Sequence, residues 1–323
     1  MDTQSHDEEV DLLAMDGLPT TRVEVGDLSF SVIDVGPGST VEQDGTGKDV
    51  GEPGDPGKPD HPVSTVILLH GFPDRALMWR HQIRSLVAAG HRVIAPDQRG
   101  FGDSDRPEGV APYHLSHLMK DVLGIADALG VDRFRLAGHD FGSLVGWMLA
   151  TAHPDRVERY AALSVGHPRA FSGAGFEQKQ KSWYVLWFQH EEVEPIIAAE
   201  DFAWFRTWSH GGAARGRDAD ADRQIDDLSR PGALRAALSW YRANMPPRIF
   251  TATAADRSDL PTVSCPVMGV WSDADIALTE RQMTDSQWYV DGDWRYERID
   301  GTDHWMSVHA PEKVSALLVD FFA

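Results

Sequence analysis

The chain has a single cysteine, Cys265, among 323 residues. An internal disulfide is therefore impossible, and so is a multi-cysteine metal site. Cys265 precedes Pro266 at the head of an apolar segment, which suits a buried packing thiol better than a reactive one. Basic residues are scarce: 30 Lys and Arg face 50 Asp and Glu, for a formal net charge of −20. That balance leaves no cationic footprint for nucleic acid. The excess is uneven, because residues 1–62 hold 15 acidic and 3 basic side chains. No apolar run approaches the ~20 residues needed to span a bilayer. Met1–Val10 is acidic and has neither a basic start nor an apolar stretch, so it does not read as a secretory signal. The expectation is a cytoplasmic chain with no nucleic-acid or membrane partner. Its hydrophobic fraction of 42% supplies an ample core.

What is present has a clear order and no internal repeat. Residues 1–16 read as a disordered acidic leader. Thr21–Val25 and Leu28–Ile33 alternate like two strands around Gly26-Asp27, a hairpin signal. Residues 36–62 are rich in Gly, Pro, Asp and Glu and read as a flexible insertion. Strand and helix patterns then alternate: Val66–Leu69, Met78–Ala89, Val93–Ala95, Leu115–Leu129, Arg133–Ala137 and Tyr160–Val165. Such alternation predicts an α/β fold with a mainly parallel sheet. It breaks near Pro168. Residues 169–258 carry helical patterns, many tryptophans and no clear strand. Strand patterns return at Val267–Trp271 and Tyr296–Ile299, and Glu312–Phe322 closes the chain as an amphipathic helix. A helical insertion between two parts of a sheet reads as a cap over a site at the strands' carboxyl ends. The expected division is a core of 17–168 and 259–323 with a cap of 169–258.

Gly138-His139-Asp140-Phe141-Gly142 lies between a strand pattern and a helix pattern. It has the form of a nucleophile elbow, G-x-Nu-x-G, with aspartate where serine usually stands. An ionised carboxylate needs no base to attack carbon. The competing reading is a glycine turn with an exposed Asp. His70-Gly71-Phe72-Pro73 follows the first buried strand, so backbone N–H groups of Phe72 and Phe141 could together form an oxyanion hole. An acid and a histidine are expected downstream, in that order. Asp273 and Asp275 both follow the Val267–Trp271 strand, and His304 follows the last strand. His309 competes with His304 but falls on a helix. His139, beside the nucleophile, is expected to pack or hydrogen-bond behind it.

From about residue 20 to its end, apart from 36–62, the chain resembles the α/β-hydrolase superfamily, and within it the epoxide hydrolase branch. The family's W-G-x-x-D pattern matches Trp271-Ser272-Asp273-Ala274-Asp275 with Ser for Gly, which makes Asp275 the acid and Asp273 the alternative. Epoxide hydrolases use two cap tyrosines on the ring oxygen. One segment resembles Tyr184-Val185-Leu186-Trp187-Phe188-Gln189, and the other Trp240-Tyr241-Arg242. The resemblance therefore implies Asp140 as nucleophile, His304 as base, Tyr184 and Tyr241 on the epoxide oxygen, and no metal or organic cofactor. The cap's Trp and Phe content suggests a small apolar or aromatic epoxide, with Trp183, Trp187 and Trp240 as expected contacts. Two departures bear on the rival haloalkane dehalogenases. Phe141 replaces the indole donor found after many nucleophiles, and Phe72 cannot donate from its ring. Indoles of Trp183, Trp187, Trp204, Trp208 and Trp240 keep that rival open. Phe141 and Ser143 offer no arginine of the kind fluoroacetate-type dehalogenases use. A serine esterase is disfavoured by the elbow itself, and a non-catalytic binding protein by the filled triad positions.

Overall fold

The computed structural model describes residues 17–38, 64–210, 218–253 and 260–323. The expected leader, and nearly all of the expected insertion, lie outside these ranges. Eight strands form one sheet: β1 (Thr20–Val25), β2 (Leu28–Val35), β3 (Thr65–Leu69), β4 (Arg92–Pro96), β5 (Phe134–His139), β6 (Val157–Leu163), β7 (Val267–Ala274) and β8 (Trp294–Asp303). Their order is β1-β2-β4-β3-β5-β6-β7-β8. The β1–β2 hairpin closes at Val25 opposite Leu28, and β2 meets β4 antiparallel. Every later pairing is parallel.

A parallel strand covered on both faces must be apolar at consecutive positions. The β3 strand shows this directly. Ile67 and Leu69 face one half of the core, with residues of the helices Leu115–Ala128 and Phe141–Ala152. Val66 and Leu68 face the other half, with residues of the helices Arg80–Ala88 and Pro311–Phe322. The segment read as one helix from Met78 divides into a 3₁₀ turn, Ala76–Trp79, and the helix Arg80–Ala88. Cys265 is buried, and burial pushes its thiol up to about 11. Among the described residues, no helix is long and apolar enough to cross a membrane.

Between β6 and β7 the chain leaves the sheet and is helical from Pro168–Gly173 to Ala233–Asn244, with no strand among its described residues. This segment is tied to the sheet layer by a polar seam that the sequence does not reveal. Arg80 makes paired bonds of 3.0 and 2.8 Å to Asp220. Asp103 takes guanidinium bonds from Arg75 at 2.7 Å and Arg230 at 2.8 Å. Asn244 donates to the Tyr113 carbonyl and accepts from the Leu115 N–H. The bidentate, partly buried Arg80–Asp220 pair fixes orientation as well as adding energy.

Candidate active site

Strand β5 runs into the helix Phe141–Ala152 with only Asp140 between them. Asp140 has φ 52° and ψ −121°, a conformation an L-residue holds only under constraint. The flanking glycines permit the turn. A Cβ on Gly138 would lie 2.3 Å from the Gly142 carbonyl oxygen, and one on Gly142 would lie 2.2 Å from that of Leu69. Gly71 matters for another reason: its Cβ would sit 2.4 Å from Asp140 Oδ1. The result is a carboxylate held at the carboxyl end of the sheet and largely buried.

Two backbone donors meet that carboxylate. Phe72 N–H donates to Asp140 Oδ1 at 2.9 Å, and the adjacent Phe141 N–H also favours the ionised carboxylate. His70 braces the first donor's loop. Its Nδ1 lies 2.9 Å from the Gly71 carbonyl and its Nε2 accepts from the Gln98 N–H at 2.9 Å. Burial lowers its pKa, which suits a neutral imbracing imidazole. Burial pushes Asp140 above the ordinary carboxylate value, against the opposing pull of His304 and the two N–H groups.

His304 follows β8 and Asp275 follows β7, so neighbouring loops bring them together. His304 Nδ1 lies 3.0 Å from Asp275 Oδ2, and His304 Nε2 lies 3.7 Å from Asp140 Oδ2. Burial alone would lower the His304 pKa, but Asp275, Asp140 and the nearby Asp303 outweigh it and raise the imidazole to about 9. Burial likewise opposes ionisation of Asp275. Contact with His304, the Ser164 hydroxyl and the Ala277 N–H brings its pKa below the ordinary value. Asp275 Oδ1 accepts from the N–H groups of Ala277 at 2.8 Å and Leu278 at 2.9 Å, which fixes the carboxylate plane. Asp273 is exposed instead and accepts from the Gly301 N–H at 2.8 Å. His309 is engaged elsewhere, between Asp303 and Asp218. His139 packs behind the site, with Nε2 at 2.8 Å from the His304 carbonyl, and burial drives its pKa down to about 3.

Ser164 was not singled out by sequence. It directly follows β6 at φ 70°, and its hydroxyl donates to Asp275 Oδ2 at 2.7 Å and lies 3.1 Å from His304 Nδ1. A hydroxyl at the carboxyl end of a parallel strand, beside the triad strands, was the available signal.

Tyr184, on the helix Trp183–Trp187, and Tyr241, on Ala233–Asn244, are both buried. Their rings meet edge to face at 5.9 Å. Burial, reinforced by the negative Asp140, holds both phenols well above their usual pKa, so both remain proton donors. Together with Asp140 they line a cavity of about 250 Å³ walled by Leu115, Phe141, Leu144, Val165, Phe171 and Met245, among others.

The three tryptophans expected to touch substrate are not on that wall. Trp240 is buried, packs its ring against Phe101 and Phe141, and donates its indole N–H to the Arg99 carbonyl at 3.1 Å. Trp183 is 45% exposed, with its ring tilted against Trp187 at 5.9 Å and edge to face with Trp204 at 6.3 Å. The Trp240 N–H is thus spent on the Arg99 carbonyl, and Trp183 and Trp187 pack against other aromatic rings. Among the described residues, no group of three or more His, Cys, Asp or Glu could hold a metal ion.

A family model described as the alpha/beta hydrolase fold matches residues 64–311. The chain is 33% identical over 318 residues to epoxide hydrolase A of Mycobacterium tuberculosis, covering 87% of this chain and 95% of the relative. A crystal structure of epoxide hydrolase A from Mycobacterium thermoresistibile superposes with a TM-score of 0.69 at 26% identity, covering 94% of this chain and 98% of that one. The Bacillus megaterium epoxide hydrolase in complex with an inhibitor shares the fold, with a TM-score of 0.77 at 22% identity and cover of 94% and 99%. The chain belongs to the α/β-hydrolase fold family, on its epoxide hydrolase branch.

Proposed function

We propose that this enzyme hydrolyses small apolar or aromatic epoxides to vicinal diols through a covalent ester on Asp140. The observation that carries the proposal is the placement of two buried phenols and one buried carboxylate on the same cavity. A carboxylate can attack an epoxide carbon, but the alkoxide that leaves is a poor leaving group at neutral pH. Paired phenols answer that difficulty by hydrogen-bonding the ring oxygen and delivering a proton. The cap of 169–258 supplies them, and the core of 17–168 and 259–323 supplies the triad.

In the first step Asp140 forms a C–O bond as the ring C–O bond breaks, and Tyr184 or Tyr241 protonates the released oxygen. Esterification removes the negative charge facing His304 Nε2. The imidazole, raised to about 9 while Asp140 is ionised, then loses one of its supporting charges. It gives up its proton, and the tyrosine regains one. In the second step neutral His304, held by Asp275, takes a proton from water. The hydroxide attacks the ester carbonyl, and the N–H groups of Phe72 and Phe141 hold the oxyanion. Collapse breaks the acyl C–O bond, releases the diol and restores the carboxylate. Ring oxygen and carboxylate oxygen become the two hydroxyls, and the protons of one water balance them.

The two steps separate experimentally. His304→Gln should alkylate and stall, so intact-protein mass should rise by the mass of one epoxide, with the adduct on Asp140. An unmodified protein after prolonged incubation with a reactive aryl epoxide would overturn the proposal.

A further inference from the structure

Asp140, Tyr184 and Tyr241 border two spaces, not one. The larger is the cavity of about 250 Å³, which extends to the exposed residues His114 and Arg248 and so provides the way in. An apolar cavity of ~150 Å³ already accepts a benzene ring, so this one takes an aryl group with further carbons attached. The second space measures about 10 Å³ and adds His304 to the lining, with Phe72, Phe205, Trp208, Ile276 and Trp305 as its other walls.

That smaller space matches a single water, which needs ~10–15 Å³. Its walls are braced. Trp305 donates its indole N–H to Asp74 at 2.9 Å, and Asp74 also accepts from Gln224 at 2.8 Å. Phe72 packs edge to face on Phe205 at 6.1 Å and on Tyr241 at 5.5 Å. Close-packed walls of this kind do not yield a methyl group's volume freely. The water that His304 activates must also stand there, because His304 lines this space and not the larger one.

We infer that the site is built for terminal epoxides. The substrate carries one bulky apolar substituent in the larger cavity, and the ring carbon on the His304 side carries only hydrogen. A substituent on that carbon would both strain the wall and displace the hydrolytic water. The product is then a 1,2-diol ending in a primary alcohol. This inference rests on the epoxide-opening reading above and narrows its substrate class.

The test compares styrene oxide with trans-β-methylstyrene oxide and trans-stilbene oxide, following diol formation by the wild-type enzyme. The expected kcat/KM falls at least about tenfold on adding the methyl group, and stilbene oxide gives no detectable diol. Ile276→Ala and Trp208→Ala enlarge the small space, so whichever of them retains its fold should raise the methyl substrate relative to styrene oxide. A wild-type ratio below tenfold, or a ratio that neither folded variant changes, overturns the inference and leaves epoxide hydrolysis standing. Absence of both turnover and adduct with all three epoxides would instead overturn the hydrolase reading, and this one with it.

Discussion

Replacing Asp275 by asparagine should separate the two halves of the reaction, and the geometry says why. Asp275 Oδ1 is held by two buried N–H donors, those of Ala277 and Leu278. An amide in its place must keep its oxygen there, because the flipped form would leave two buried donors facing an NH₂ group, at ~1–3 kcal/mol each. The NH₂ group then falls where Oδ2 was, 3.0 Å from His304 Nδ1. A donor at that point forces the imidazole proton onto Nε2, the nitrogen that must accept a proton from water. The Ser164 hydroxyl, now facing the same NH₂, can rotate to accept but cannot restore the tautomer. An equivalent substitution in serine proteases costs about 10⁴ in kcat, roughly 5.5 kcal/mol of barrier. We expect a loss of about 10³–10⁴ in steady-state kcat for Asp275→Asn, confined to ester hydrolysis. Rapid-quench mass spectrometry should show one equivalent of epoxide consumed quickly, with the Asp140 adduct persisting. A kcat within about tenfold of wild type would mean that Asp275 does not set the His304 tautomer. A first turnover slowed as much as the steady state would contradict the confinement to ester hydrolysis.

Other expectations follow from the same geometry. Asp140→Asn should abolish both adduct formation and diol production in freshly prepared protein, and sustained turnover before any deamidation would count against the nucleophile. Tyr184→Phe and Tyr241→Phe should each slow ring opening by about 10²-fold, in line with loss of one preorganised donor, while the double variant should be inactive in single-turnover alkylation. Full alkylation by the double variant would remove the case for phenol assistance. His309 bridges Asp218 at the start of the cap helix Ala219–Ser229 to Asp303 on β8. Hydrogen bonds to these two carboxylates raise it to about 10, above its ordinary 6.5. The stability it adds is therefore fully present below pH 6.5 and lost as pH rises through about 10. His309→Ala should lower Tm more at pH 6 than at pH 10, and a pH-independent difference measured by calorimetry would argue against the ion pair.

The sequence was most legible where one local rule acts alone. The β1–β2 hairpin, the alternating strands and the break at Pro168 follow from turn residues and periodicity, and each has its counterpart in the structure. The elbow was legible because its glycines answer a strict spatial demand at Gly138 and Gly142. Asp275 and Asp273 were not separable by spacing from residue types alone. Only the packing shows that one is buried against His304 while the other is exposed beside Gly301. Ser164 escaped notice for a related reason, since its partners lie 111 and 140 residues away in sequence. The tryptophans misled because aromatic richness signals burial without saying against what. Trp240 and Trp183 stabilise the cap, whereas the cavity wall comes mostly from aliphatic side chains and Phe. The Arg80–Asp220 and Arg230–Asp103 seam could not be read in advance, because charge near a helix pattern looks the same whether it faces water or a second layer.

The central claim is that the oxygen delivered to the substrate comes from Asp140 and not from water. A single turnover in ¹⁸O-water, with enzyme in excess over a terminal aryl epoxide, tests it directly. The first diol should carry no label from solvent, one ¹⁸O should enter the Asp140 carboxylate, and label should reach the diol only in later turnovers. A fully labelled diol from the first turnover, with an unlabelled Asp140 peptide, would contradict it.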